Sequence, residues 1–466
     1  MALDPRRRRR IRFRGKSLRH SARRDAEDGG EEGQSRDTSI GISSPTVPIR
    51  DITVQHAPFF EFLAELGDDT TPEWRRVSAG LVCLRLADYL LAGGDAQRVD
   101  DVRATRAAWA CLEPLGAGDA VGSVLASLLN VLASESGDRS ITARPRLMAY
   151  GRVLELESRW ALAADVYETV VRLCRDPSEH DQGDAPDAAA AYMRLGECRR
   201  QQARWDDAQQ AFRSAAESAA SVSDWSTQIK ARCLGAAVLS ESGNLALADA
   251  LLRRAAQDAR WAGLPDEMAL ALHGRAHVAF QRKRFEAAVR FAFRALRGLR
   301  DPLARDRALA DVAAAFIELG VRRAARDASL ILIATTQEPY VRGAALINLM
   351  DMAAKDRTEP LFEQYRRQLA TEQLPPRLAG YYHYYAGWGA WHFGRIETAR
   401  MEYGRAVEIA TRHGLAQLGF EIEDAIAKLR TPPPIGPDPV REPPAKTAVV
   451  ARALGRMREE LETASA

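Results

Sequence analysis

The chain has 466 residues, of which 28% are charged and 46% are hydrophobic, and its formal net charge at pH 7 is +3. No apolar run approaches the roughly eighteen residues that a membrane span needs, and the five cysteines include no CxxC pair. This composition argues against a transmembrane protein or a disulfide scaffold, and we expect a cytoplasmic protein with reduced thiols.

The first 55 residues are predicted to form a disordered basic arm and linker. Residues 1–24 are rich in arginine and contain the single acid Asp4, and an acidic, glycine-rich segment follows them. Such a composition cannot bury enough apolar surface to offset chain entropy. Residues 6–24 could make weak contact with nucleic acid or an anionic surface. Alternatively the arm is a solvated tail, because arginine is abundant throughout this chain.

The chain from residue 56 to residue 430 reads as helix throughout. Alanine, leucine, arginine and glutamate dominate it, and no strand-like alternation of β-branched residues is bounded by turns. We therefore predict an all-α fold, with an N-terminal helical capping region at 56–140 and a helical repeat array at 141–430.

Three segments of the array share a pattern of small and large residues. Each has a glycine in a first helix, a large residue nine positions later, an alanine three further on and a ring four beyond that. These positions are Gly151, Trp160, Ala163 and Tyr167; Gly196, Trp205, Ala208 and Phe212; and Gly387, Ile396, Ala399 and Tyr403. Small residues let two antiparallel helices approach closely, while large residues fill the space between pairs. The large-residue position recurs at Leu245, Phe285 and, less clearly, Val321.

These residues resemble the tetratricopeptide repeat, and the spacing of about 40 residues is similar to its longer, kinesin-light-chain-like type. The resemblance implies an α-solenoid of stacked antiparallel helix pairs, wound as a right-handed superhelix. It also implies that the first helix of each pair lines a concave groove.

By this resemblance, the groove positions of the last clear unit are aromatic, namely Tyr381, Tyr384, Trp388 and Trp391. Their spacing of 3, 4 and 3 places them on one side of a helix, and tyrosine and tryptophan often anchor binding energy. The residues expected on the other side, packed against the preceding pair, are Tyr382, Tyr385 and Phe393. The alternative is that a C-terminal helix around Phe420 and Ile422, or the tail, covers the four groove residues.

The same register places His273, His277 and Phe280 in the groove of an earlier unit. Two histidines one turn apart can bind a metal, but this segment lacks the glutamate of a zincin and offers no third ligand nearby. We therefore predict no metal here, and interpret the three residues as groove lining or as ordinary packing.

Residues 431–446 form a proline-rich linker, which should be extended and semi-rigid. Residues 447–466 are predicted to form an amphipathic C-terminal helix. Its apolar positions recur at helical spacing and are Val449, Val450, Ala453, Leu454, Met457 and Leu461.

The sequence shows no phosphate-binding loop, nucleophile elbow or HExxH motif, so we predict no enzyme and no cofactor. The leading hypothesis is a scaffold or adaptor that binds a peptide segment of a partner protein in the groove. One alternative is a ligand- or peptide-responsive regulator whose basic arm contacts nucleic acid. Another is a hydrolase or transferase with a scattered active site, which would need perturbed titratable groups in the groove.

Overall fold

The computed structural model describes residues 55–67, 71–92, 98–116, 118–134, 138–174, 184–433, 436–437 and 439–465. The predicted basic arm, including residues 6–24, lies outside these ranges except for Gln55. The described residues form helices and connecting turns, without strands. None of the described helices is long and apolar enough to cross a membrane.

Twenty α-helices follow one another in the described part of the chain. Their bounds are α1 Ala57–Leu66, α2 Pro72–Ala92, α3 Arg98–Leu112, α4 Ala120–Ala133, α5 Arg139–Leu156, α6 Trp160–Leu173, α7 Ala185–Gln201, α8 Trp205–Ser221, α9 Trp225–Glu241, α10 Leu245–Trp261, α11 Pro265–Gln281, α12 Phe285–Gly298, α13 Pro302–Leu319, α14 Arg322–Thr335, α15 Pro339–Lys355, α16 Glu359–Ala370, α17 Pro376–His392, α18 Ile396–Arg412, α19 Ala416–Lys428 and α20 Ala448–Ser465. A short 3₁₀ helix, Glu113–Leu115, follows α3.

From α5 to α18 each helix packs against the next one, so the chain forms seven consecutive helix pairs. The prediction of an all-α solenoid is confirmed. Helices α1 to α4 occupy the region predicted as the N-terminal cap, and α19 follows the last pair. The predicted domain boundaries themselves remain predictions.

The recurring glycine and ring are in contact within each of the three signature units. A Cβ built on the glycine would lie 2.6 Å from the Tyr167 ring at Gly151, 2.8 Å from the Phe212 ring at Gly196 and 2.8 Å from the Tyr403 ring at Gly387. The alanines of the pattern, Ala163, Ala208 and Ala399, are fully buried. The large residues Trp160, Trp205 and Ile396 each begin the second helix and are partly buried. The glycine therefore gives the ring room to pack, and the two helices approach closely.

A repeated turn fixes where each second helix starts. In all seven units, the residue two positions before the second helix has a positive φ. These residues are Ser158, Ala203, Gly243, Lys283, Gly320, Arg357 and Gly394. The second helices accordingly start at Trp160, Trp205, Leu245, Phe285, Arg322, Glu359 and Ile396. The large-residue position assigned to Val321 is one residue early, because Val321 is the N-cap of α14, which begins at Arg322.

The spacing between units shortens along the chain. Successive starts are separated by 45, 40, 40, 37, 37 and 37 residues, when counted from the helix bounds. The unit made of α15 and α16 lies between the pattern positions Val321 and Ile396, whose separation of 75 residues predicts about two units, although no signature residues mark the second one. It carries Phe362 where the signature units have a buried alanine, and a Cβ built on Gly389 of α17 would meet that ring at 2.1 Å. Size complementarity is thus kept, with the large and small residues exchanged between neighbouring units.

The C-terminal helix α20 packs on α14 and, to a smaller extent, on α12. Leu454 is fully buried, Val450 is nearly so, and Met457 and Leu461 pack partly against the same core. The Arg458 Nε atom lies 3.0 Å from an Asp327 carboxylate oxygen of α14. The predicted amphipathic helix is therefore present, and it lies on α14.

Candidate functional site

Helix α17 carries the aromatic residues predicted to line the groove. We call Tyr381, Tyr384, Trp388 and Trp391 the α17 aromatic row. The first three are partly buried, whereas Trp391 is buried with 5% of its surface exposed. The Trp388 and Trp391 rings contact each other, with centroids 5.1 Å apart. The two tryptophans therefore touch, but the accessible part of the row ends before Trp391.

The interpretation of Trp391 as an exposed groove anchor is wrong. Its indole Nε1 donates a hydrogen bond to the Thr431 carbonyl oxygen at 3.4 Å, just beyond the end of α19. Trp391 also belongs to the apolar cluster that contains Tyr403 of α18 and Ile422 of α19. The chain at the end of α19 thus covers this tryptophan. The alternative that a C-terminal helix covers the row applies to Trp391, and the helix responsible is α19.

The other rings of α17 lie where the sequence placed them. Tyr382 is buried, and Tyr385 and Phe393 pack against the core formed with preceding helices. The Phe393 ring contacts Phe362 of α16, with centroids 5.4 Å apart. The prediction that these three rings pack against the preceding pair is confirmed. Tyr385 and Phe393 keep partial exposure, as do Tyr381, Tyr384 and Trp388, and Tyr381 and Trp388 also touch this core.

Carboxylates from α15 and α19 lie near the partly accessible tyrosines. Burial, together with the charges of Glu421, Asp351 and Asp424, raises the pKa of Tyr384 to about 12. Burial, together with the charges of Asp351 and Glu421, also raises the pKa of Tyr385. Both hydroxyls therefore stay protonated at neutral pH, so the site combines neutral rings with negative charge.

One cation also reaches the row. The Lys428 Nζ atom lies 5.8 Å from the centroid of the Trp388 ring and 2.5 Å from an Asp424 carboxylate oxygen. Cations are attracted to the face of an indole ring. The Trp388 Nε1 atom is buried and has no hydrogen-bond acceptor among the described residues. Trp388 thus already contacts a basic side chain, and it retains an unused hydrogen-bond donor.

The second predicted groove set lies on α11. His273 Nε2 is 2.8 Å from an Asp311 carboxylate oxygen of α13, and His277 is exposed, with a ring nitrogen 2.8 Å from the Gln281 side-chain amide. Phe280 packs against Phe285 in a T-shaped contact at 5.3 Å. Among the described residues, no group of three or more histidine, cysteine, aspartate or glutamate side chains is placed to hold a metal. The three residues have separate neighbours, and their role in binding stays a prediction.

A buried charged cluster near the N-terminus was missed by the sequence analysis. His56 lies between two carboxylates, with Nδ1 3.0 Å from Asp165 and Nε2 2.8 Å from Asp88. Asp88 also accepts a hydrogen bond from Arg172 at 3.0 Å. Burial alone lowers the pKa of His56, but hydrogen bonds and charge from Asp165 and Asp88 raise it to about 9. The cluster connects α1 to α2 and α6 and contains no nucleophile, so we interpret it as a clamp on α1.

Comparison with known proteins gives structural likenesses alone. No protein-family model and no curated protein matches the chain. Three similar solved structures are PilF of Pseudomonas aeruginosa (19% identity, TM-score 0.38, covering 52% of this chain and 99% of that one), BtubC (BKLC) from P. vanneervenii (13%, 0.38, 55% and 92%) and the quorum sensor NprR from B. thuringiensis in its apo form (14%, 0.46, 75% and 92%). These values are too low to carry an argument about function, which must rest on the site itself.

Proposed function

We propose that this protein is a non-catalytic scaffold that binds a peptide segment of a partner protein in the groove of its helical array. The binding site is centred on Tyr381, Tyr384 and Trp388 of α17. The observation that carries the proposal is this row of three partly buried rings, which runs along one helix beside carboxylates of α15 and α19. Partly buried tyrosine and tryptophan side chains are the residues that most often anchor protein interfaces.

The surroundings of the row favour a segment that carries a basic side chain. Glu421 contributes negative charge near Tyr384, whereas Asp424 and Asp351 are paired with Lys428 and Lys355, and the ring faces attract cations. Lys428 illustrates this contact from within the chain, since its ammonium group already lies over Trp388.

A peptide selection followed by affinity measurement tests this proposal. Peptides selected from a random displayed library against the full chain provide the probe, and fluorescence polarisation gives the dissociation constants. Replacing Tyr384 by alanine should weaken binding at least about fivefold, because truncating a central aromatic anchor commonly costs more than about 1 kcal/mol.

The matched control is Trp261→Ala, because Trp261 of α10 is 90% exposed and lies outside the row. Thermal melts of both variants show whether the fold is retained. Equal affinities for the wild-type protein, the Trp261 variant and a folded Tyr384 variant would place peptide binding elsewhere. A library that yields no binder would count against a peptide-binding scaffold.

A further inference from the structure

The segment before α20 and α20 itself pack against α14 and line a charged cavity that is open to solvent. The cavity has a volume of about 540 Å³ and is lined by α14, by residues 440–443 and by α20. This volume lies within the range of small-ligand sites, roughly 300–1,000 Å³. None of the residues of the α17 aromatic row lines this cavity, so a ligand bound here would not depend on the proposed peptide site.

Arginine dominates the charge of this cavity. Five arginines line it against three carboxylates, which leaves an excess of positive charge. One carboxylate, Asp327, is already paired with Arg458 at 3.0 Å. The other two, Glu442 and Glu459, are exposed, as are the four arginines other than Arg458, so the excess of positive charge rests on the count of five against three. The remaining arginines are Arg323, Arg441, Arg452 and Arg456, and none of these four makes an ion pair within the part of the chain that the structure describes.

Local packing places these cations in one region. Arg452 and Arg456 are four residues apart on α20, so they lie on the same face, where like charges destabilise a helix. The stem of Arg441 packs on Gly320, where a built Cβ would lie 3.0 Å from Arg441 Cδ. Gly455 faces Asp327, with a built Cβ 3.8 Å from its carboxylate, which lets α20 lie close to α14.

An anion in the cavity would offset this repulsion. Guanidinium groups bind phosphate oxygens through paired, directional hydrogen bonds, and several arginines converging on one ligand increase its charge complementarity. We propose that the cavity between α14 and α20 binds a small anion carrying two or more phosphate groups. The bound anion bridges Arg323 of the array to Arg452 and Arg456 of the tail, and thereby holds α20 in place.

Isothermal titration of the full chain with inorganic tripolyphosphate tests this proposal. The wild-type protein should bind with defined stoichiometry, and added salt should weaken the binding. The double variant Arg452→Gln with Arg456→Gln should lose at least about tenfold in affinity. The matched control is Arg253→Gln with Arg254→Gln, which removes two exposed arginines of α10 that do not line the cavity.

A second readout separates loss of the site from detachment of the tail. Amide hydrogen exchange of residues 448–461 should slow when tripolyphosphate is added to the wild-type protein. Arg323→Gln leaves α20 unaltered and should weaken binding in the same direction as the double variant. Absence of binding at millimolar concentration, an equal loss in the Arg253 and Arg254 control, or unchanged affinity in Arg323→Gln would each overturn the proposal.

Discussion

Because Gly151 lies against the Tyr167 ring, we predict that enlarging this glycine lowers the stability of the protein. Replacing Gly151 by alanine would place a methyl group 2.6 Å from two Tyr167 ring atoms, whereas ordinary van der Waals contact begins at 3.4 Å. The ring must therefore move by about 0.8 Å. It has little freedom to do so, because Tyr167 is fully buried and its hydroxyl donates a hydrogen bond to Glu155 at 2.7 Å.

Two opposing effects determine how much Gly151→Ala changes the free energy of unfolding. Overpacking a well-filled core costs about 1–3 kcal/mol, and the constrained ring favours the upper half of that range. Alanine gains about 1 kcal/mol over glycine in helix propensity. The net loss for Gly151→Ala should therefore be about 1–2 kcal/mol. The control Gly404→Ala, on α18, meets nothing within 4 Å and should be more stable than the wild-type protein by up to about 1 kcal/mol.

Urea denaturation followed by circular dichroism measures both variants, with the slope of the transition checked for constancy. Both substitutions replace glycine by alanine within a helix. If one lowers the free energy of unfolding and the other raises it, the difference is due to the contact with the Tyr167 ring. If Gly151→Ala matched or exceeded the stability of the Gly404→Ala variant, the close approach of α5 and α6 through Gly151 would be refuted.

Two further predictions concern the ends of the array. Because the pKa of His56 is raised from 6.5 to about 9, its stabilising charge is fully present below about pH 6.5 and is lost as the pH rises through 9. The urea midpoint of the wild-type protein should fall more between pH 6 and pH 9.5 than that of His56→Gln, and equal falls would contradict the clamp. Leu454→Asp should release α20 and speed amide exchange at residues 448–461, because it buries a charge at a fully covered position. Val449→Asp, at a position 62% exposed, should leave exchange unchanged, and similar exchange in the two variants would contradict the docking of α20 on α14.

The signature units could be predicted from sequence because their contacts recur at a fixed separation. In each of the three, the glycine and the ring that covers it are sixteen residues apart, as in Gly151 and Tyr167. Helical periodicity then determines which face each residue occupies. The assignment of Tyr382 and Phe393 to the packed side of α17 followed from the same periodicity.

The unit made of α15 and α16 shows the limit of this approach, because the spacing predicted its existence but the pattern did not locate its residues. Phe362 occupies a position that is alanine in the signature units, and the space for its ring comes from Gly389 in the next unit. A pattern that looks for a small residue in one unit cannot detect compensation by a small residue in another. A large residue still packs against a small one, but the two lie in different units, so the sequence signal is lost.

The sequence predicted which helix carries the candidate site, but it did not predict which of its rings are accessible to solvent. The positions of Tyr381, Tyr384 and Trp388 on α17 follow from their spacing. The burial of Trp391 depends on Thr431, which lies 40 residues later and follows α19. The clamp on His56 depends on Asp165, which is 109 residues away. Such contacts depend on how helices stack, and no local pattern encodes them.

The position of α20 has a consequence for how the array comes apart. Repeat arrays commonly unfold progressively from their ends, because each unit contacts its neighbours alone. Here the contact between α14 and α20 brackets the helices α15 to α19. If those helices unfolded, α20 would be connected to α14 only through a long flexible loop. The entropic cost of closing that loop would weaken the packing of α20 on α14. Loss of the last units and release of α20 should therefore occur as one cooperative step instead of gradual fraying.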